Sequence, residues 1–145
     1  MPIRSVLVPV NGGRTDEEAI ALACAMARRT RGKVHALFVI EVQRTLALDA
    51  DLPAENTRGE QVLEQAERFA KANDYVVETD LLQAREVGPA IVDEAVERGV
   101  DLIILGVEYQ KHFGEFSLGD TMPYLLRNAP CRVWLCREAI LPQTP

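Results

Sequence analysis

Residues 5–13 read SVLVPVNGG, an almost unbroken apolar run that stops at an asparagine and two glycines. A strand covered on both faces has no reason to alternate polar and apolar side chains, and a tight turn commonly follows it, so this stretch predicts a central strand of a parallel sheet. Residues 101–106, DLIILG, repeat the pattern: an apolar run that ends on glycine. The two runs are the most apolar in the chain and belong in the middle of the same sheet.

Between and around them the period changes. Thr15, with Glu18 three residues on, has the spacing of a capping box, and Ala19, Leu22, Ala23 and Met26 recur at helical spacing until Gly32. Lys33–Val42 predicts a second strand. Gln43–Glu55 has no period and contains Pro53, so a long loop is expected. From Asn56 to Asn73 the residues Val62, Leu63, Ala66, Phe69 and Ala70 form an apolar stripe and predict a second helix. Val77, Thr79 and Leu81 alternate with Glu78 and Asp80, as in a half-exposed edge strand. Gly88 and Pro89 open a third helix that Gly99 ends. After the second apolar run come a loop, a short helix near Asp120–Asn128 and a last strand through Cys131–Arg137.

Alternating strands and helices predict an α/β fold: a five-stranded, mostly parallel sheet with helices on both faces. With the first and fourth strands central, the order is 3-2-1-4-5, and a topological switch point falls between them. Ligands of such sheets bind beyond the strand ends at that point, here around Asn11–Arg14 and from Gly106 onward. Residues 1–140 are read as one domain and 141–145 as a frayed tail.

The 145 residues are 48% hydrophobic and 26% charged, a globular profile. The formal net charge of -6 opposes binding to a phosphate backbone, so no nucleic-acid partner is expected. No apolar run approaches the roughly 20 residues that cross a bilayer, and Met1–Arg4 lead straight into a strand. A cytoplasmic protein without membrane insertion is expected. Cys24, Cys131 and Cys136 match no zinc or redox spacing. Cys131 and Cys136, five positions apart in one strand, should point to opposite faces, and no metal site is expected.

Gly106, Gly114 and Gly119 punctuate the loop before the short helix, where free N–H groups and the helix dipole favour an anion. A phosphate site and a plain turn-rich loop are both compatible with that spacing. From Ser5 to Arg137 the chain also resembles the universal stress protein family. The resemblance is carried by VLVPVNG at the first turn, the strands VHALFVIE and DLIILG, and the ending LGDT followed by NAPCRVWLCR.

The resemblance implies a Rossmann-like fold of the adenine nucleotide alpha hydrolase type, a regulatory role, an adenine nucleotide such as ATP as ligand with Mg if phosphates are bound, and a homodimer formed through the last strand, Cys131–Arg137. In nucleotide-binding members a glycine is followed after two residues by a second glycine, and after nine more by a third glycine with Ser or Thr behind it. Gly106 and Gly119 match the first and third; Tyr109 and Asp120 stand at the other two marks, and Asn11 stands where the first turn usually carries aspartate. A side chain at Tyr109 would obstruct approach to a phosphate, and Asp120 would repel it. Thr121, Lys111 and His112 could compensate, or Asp120 could hold a magnesium ion.

The nucleotide contacts the resemblance implies are Pro9 and Asn11 near the ribose, Val39 against the adenine, Leu105 and Gly106 under the phosphates, and Gly119, Asp120, Thr121 and Met122 closing over them, with Lys111 and His112 on the phosphate side. The plainer reading makes Val39 and Leu105 core residues and Asp120 an N-cap. His35 reads as a packed or surface histidine. No catalytic constellation stands out. Trp134, between Val133 and Leu135, makes the last strand too apolar for a bare edge, which either the same strand of a second molecule or a helix of the same chain would cover. Three readings follow: a dimeric adenine-nucleotide sensor, an interaction domain without ATP working beside a partner such as a membrane transporter, and a weak nucleotide hydrolase.

Overall fold

In the computed structural model, which describes residues 2–109, 111–112, 115–116 and 120–140, the two apolar runs become neighbouring strands. The first is β1 (Ser5–Pro9). It is followed by α1 (Asp16–Arg28), β2 (Lys33–Glu41), α2 (Pro53–Ala72), β3 (Glu78–Ala84), α3 (Val87–Arg98), β4 (Leu102–Val107), α4 (Thr121–Asn128) and β5 (Arg132–Arg137). Lys111–His112 and Glu115–Phe116 also pair, antiparallel, as a separate two-residue ladder. The five-stranded sheet runs β3-β2-β1-β4-β5 and every pairing in it is parallel. The predicted order 3-2-1-4-5 is therefore the observed one.

Alternation along β1 sorts the core into two layers. Val6 and Val8 face α1 and α2, together with Val34, Ala36, Phe38 and Ile40 of β2 and Leu102 and Ile104 of β4. Leu7 faces α3 and α4, with Leu37, Ile103 and Leu105 beside it. Small residues let the helices lie close: Ala19, Ala23, Cys24 and Ala27 of α1 and Ala66 and Ala70 of α2 are buried against the first layer. Cys131 packs on the α3/α4 side and Cys136 on the α1/α2 side, opposite faces as the spacing predicts.

Several local expectations are corrected. Thr15 does not close a capping box; it makes no side-chain cap hydrogen bond, and its Oγ1 lies where a Cβ on Gly106 would stand, 2.5 Å away. Pro53 does not sit in a loop but opens α2 at the first helical turn, where its missing N–H costs nothing and its fixed φ suits the helix. The end of α1 turns on Arg31 (φ 56°), the residue in the left-handed region, rather than on Gly32. Gly32 is required for space: a Cβ there would be 2.3 Å from the Arg4 carbonyl oxygen. Asp120 precedes α4 but makes no side-chain cap hydrogen bond and is exposed. Gly99 does end α3 as read, with φ 61° and its N–H on the Ala95 and Val96 carbonyls.

His35 proves to be a packed histidine, 4% exposed, on the α3 side of β2. Its Nδ1 lies 3.3 Å from Glu78 Oε2 without the alignment of a hydrogen bond. Around it, Arg98 of α3 pairs with Asp80 of β3 and, at 3.0 Å, with the buried Glu94, while Lys33 reaches Glu78 at 3.7 Å. Burial pushes the imidazole pKa below its ordinary value, a shift that Arg98 and Lys33 reinforce and that Glu78 and Asp80 oppose. Burial likewise pushes the Asp80 carboxyl upward, with Arg98 opposing.

Two outcomes follow for stability. Arg31→Gly relieves the left-handed strain and should stabilise the fold by about 0.5–1 kcal/mol, whereas Gly32→Ala should cost about 1–3 kcal/mol by driving a methyl into backbone; urea melts of both variants decide it. Because the unfolded His35 binds its proton at about pH 6.5 and the folded one only lower, the unfolded state holds more protons in that window. Stability should fall as pH drops below about 6.5, and His35→Gln should flatten that slope in melts taken between pH 5 and 7. An equally steep slope in the variant would assign the pH dependence elsewhere.

Candidate functional site

The chain changes its direction of winding between β1 and β4, so their C-terminal ends open a gap that no crossover helix fills. A cleft of about 600 Å³ lies there, within the range of small-molecule sites. Its apolar wall comes from both central strands and their neighbours: Pro9 ends β1, Leu37 and Val39 come from β2, Leu105 from β4, Ile91 from α3 and Met122 from α4. All of these but Pro9 belong to the α3/α4 core layer, and the cleft is where that layer reaches the strand ends.

Opposite them is the first turn, residues 11–15, held by a chain of backbone donors. The Asn11 and Gly12 N–H groups donate to the two oxygens of Asp16, at 3.4 and 2.7 Å. The Gly13 N–H donates to Asn11 Oδ1 at 2.7 Å, and the Arg14 N–H to Glu108 Oε1 at 3.2 Å. Gly12 takes φ 84°, which fits glycine. Asp16 is 7% exposed, and burial, with Glu108 adding to it, raises its pKa against the pull of the two N–H groups and Arg58.

Two further elements close the cleft. Arg58 reaches over from α2, donates through Nη2 to the Asn11 carbonyl at 3.0 Å and lies over the Phe38 ring at 5.8 Å. From the end of β4, Glu108 enters the lining, whereas Tyr109 does not line it. The Tyr109 ring lies under the Arg137 guanidinium at 5.4 Å, and its N–H donates to Glu138 Oε1 at 2.8 Å. Glu138 also takes two bonds from Arg14, at 2.7 and 2.5 Å, and these hold its carboxyl pKa below the usual range. Arg14 and Glu138 thus fasten the first turn to the segment after β5.

Of the residues singled out in the sequence, Pro9, Asn11, Val39, Leu105, Gly106, Thr121 and Met122 come together around the cleft. Asp120 lies beside it, exposed, and does not line it. Gly114 and Gly119 lie outside the described residues, and Lys111 and His112 are described by backbone alone. Sequence reasoning missed Asp16, Arg58 and Glu108, the three ionisable groups of the described lining. A carboxylate five residues after a turn asparagine could have marked Asp16. Nothing local marks Arg58 or Glu108, which arrive by tertiary contact. Among the described residues no group of three or more His, Cys, Asp or Glu is arranged to hold a metal ion, and no helix is long and apolar enough to cross a membrane.

Universal stress protein MJ0531 of Methanocaldococcus jannaschii is 22% identical over 141 residues, covering 93% of this chain and 82% of its own. The universal stress protein of Archaeoglobus fulgidus in complex with dAMP superposes with a TM-score of 0.73 at 18% identity, covering 93% of this chain and 98% of its own. A universal stress protein in complex with cAMP superposes with a TM-score of 0.71 at 18% identity, covering 96% and 100%. These likenesses establish the fold, and the model of the universal stress protein family matches residues 2–137. By that match over nearly its whole length, the chain belongs to the universal stress protein family.

Proposed function

We propose that the chain is a cytoplasmic regulatory domain that binds an adenine nucleotide, or its nucleoside, in the cleft between β1 and β4 and works as a homodimer. The observation that carries the reading is the cleft itself: an apolar wall that includes Val39 and Leu105 faces a polar first turn at the switch point of the sheet. Family members of the same fold crystallised with dAMP and cAMP support the choice of adenine. The pairing surface is the outer side of β5. That strand closes one edge of the sheet, carries Val133, Trp134 and Leu135, and leaves Leu135 39% exposed. Binding rather than catalysis is the proposed activity, with ATP among the ligands and Mg as its counter-ion.

Calorimetry with ATP, AMP and cyclic AMP, each with and without Mg, tests the ligand. Heat with at least one of them is expected; silence with all would favour an interaction domain acting with a partner protein, and consumption of ATP over time would make the chain an enzyme. For the dimer, Leu135→Glu places charge in the middle of the pairing strand and should lower the mass seen in sedimentation from two chains to one at micromolar concentration. A wild-type chain that sediments as a monomer would remove the dimer from the reading.

A further inference from the structure

The interior of α2 carries a glycine, Gly59, at a position where glycine weakens a helix. Packing explains it. A Cβ on Gly59 would stand 2.6 Å from Leu81 Cδ1 and 2.8 Å from Phe38 Cδ1, so the helix backbone lies directly on β2 and β3. That close approach carries the preceding residue, Arg58, to the cleft. Its Nη2 donates to the Asn11 carbonyl at 3.0 Å, and its guanidinium lies over the Phe38 ring at 5.8 Å. The same Nη2 lies 3.4 Å from where a Cβ on Gly12 would stand, so the group rests against the first turn.

Arg58 is the one cationic side chain among the described residues of the lining. The sheet order fixes which end of the cleft it serves. With β2 on one side of β1 and β4 on the other, Phe38 and Val39 stand at one end, and Leu105 and Gly106 at the other. Arg58 therefore belongs to the end where Val39 is, away from Gly106. Alternation along β2 adds the second coordinate. Phe38 packs into the α1/α2 layer, whereas Val39 and Leu105 pack into the α3/α4 layer, so Arg58 and the apolar wall approach the cleft from opposite faces of the sheet.

Resting on the adenine reading above, we propose that Arg58 holds the base, covering with its guanidinium plane the face of the ring that the Val39 wall leaves open, independently of the phosphates. A guanidinium suits this task because it is planar, stacks on aromatic faces and is more weakly hydrated than an ammonium, so it loses less on being covered. The Phe38 ring and the Asn11 carbonyl hold it in place before a ligand arrives, which lowers the cost of ordering it on binding. What the contact selects is a flat, π-rich group, and nucleoside and nucleotide gain from it alike.

Calorimetry of the full chain with adenosine, AMP and ATP, wild type against Arg58→Lys and Arg58→Gln, tests this. Lysine keeps the charge and a donor for the Asn11 carbonyl but loses the plane. Arg58 is exposed, so both variants should melt with the wild type. Each should bind every ligand that the wild type binds more weakly by one shared factor, about five- to tenfold. Arg58→Lys binding as tightly as the wild type would overturn the inference and leave the adenine reading standing, because charge and the tie to Asn11 would then be all that Arg58 supplies. A loss in Arg58→Gln that grows from adenosine to ATP would also overturn it, by moving the guanidinium to the phosphates. Silence of the wild type with all three ligands would overturn both readings.

Discussion

Everything in this fold depends on β1 being buried on both faces. Val6, Leu7 and Val8 have no exposed surface, and strands pair with both edges of β1. A strand in that position cannot be served by helices on one side alone, so α1 and α2 must cover one layer and α3 and α4 the other. The chain meets that demand by building outward to β2 and β3, then crossing back past β1 to lay down β4. The crossing sets the C-terminal ends of β1 and β4 side by side with their helices on opposite faces, and the cleft lies at those ends. Its position is a consequence of covering a two-sided strand before it is a matter of ligand chemistry.

The same constraint governs the first turn. Beyond β1 the chain surfaces, with Asn11, Gly12 and Arg14 exposed and Gly13 half-buried, and the N–H groups of the turn are met by side chains. Asp16 answers for two of them from the first turn of α1, and Glu108 answers for a third from the neighbouring strand. The helix gains as well, since acidic residues fill its first turn. Thr15 is displaced from the capping role its spacing suggests because its side chain is packed against Gly106, and only a glycine there lets α1 and β4 approach. Local satisfaction of the turn and the electrostatic character of the cleft are therefore set by the same atoms.

That coupling explains which features could be read from the sequence. Element types, strand order and the switch point follow from periodicity and from two apolar runs, because burial imposes those patterns locally. Patterning alone makes Val39 and Leu105 core residues at the ends of strands; the family resemblance is what marks them as site residues. The family resemblance brought in Asn11, Thr121 and Met122. Arg58 and Glu108 were not legible, since each reaches the cleft through a contact made by tertiary packing, Arg58 to Asn11 across 47 positions and Glu108 to Arg14 across 94, whereas Asp16 bonds to the turn locally and its spacing could have marked it. Pro53 was misread because a proline marks a helix start and a loop equally well, and the residues around it do not choose. Tyr109 reads as an obstruction from its position alone; in the structure its backbone N–H is held by Glu138 and its ring by Arg137, contacts no local pattern announces.

The two edges of the sheet are treated differently, and the difference bears on assembly. On the β3 side, Gln83 donates to the Leu48 and Ala50 carbonyls and Arg85 to those of Gln43 and Leu46, so the connection after β2 is drawn in beside the edge strand. Glu78 and Asp80 add charge to the same strand, and both devices discourage a further strand from pairing there. β5 carries charge at its ends, Arg132 and Arg137, with Val133, Trp134, Leu135 and Cys136 between them. Trp134 and Cys136 turn inward onto the α1 layer and Val133 onto the α3 layer, so the strand is anchored on both faces, and among the described strands only β4 pairs with it. A sheet that spends side chains protecting one edge and leaves an apolar strand at the other is open to growth on one side, and this asymmetry is the physical ground for the proposed pairing of β5 with a second copy.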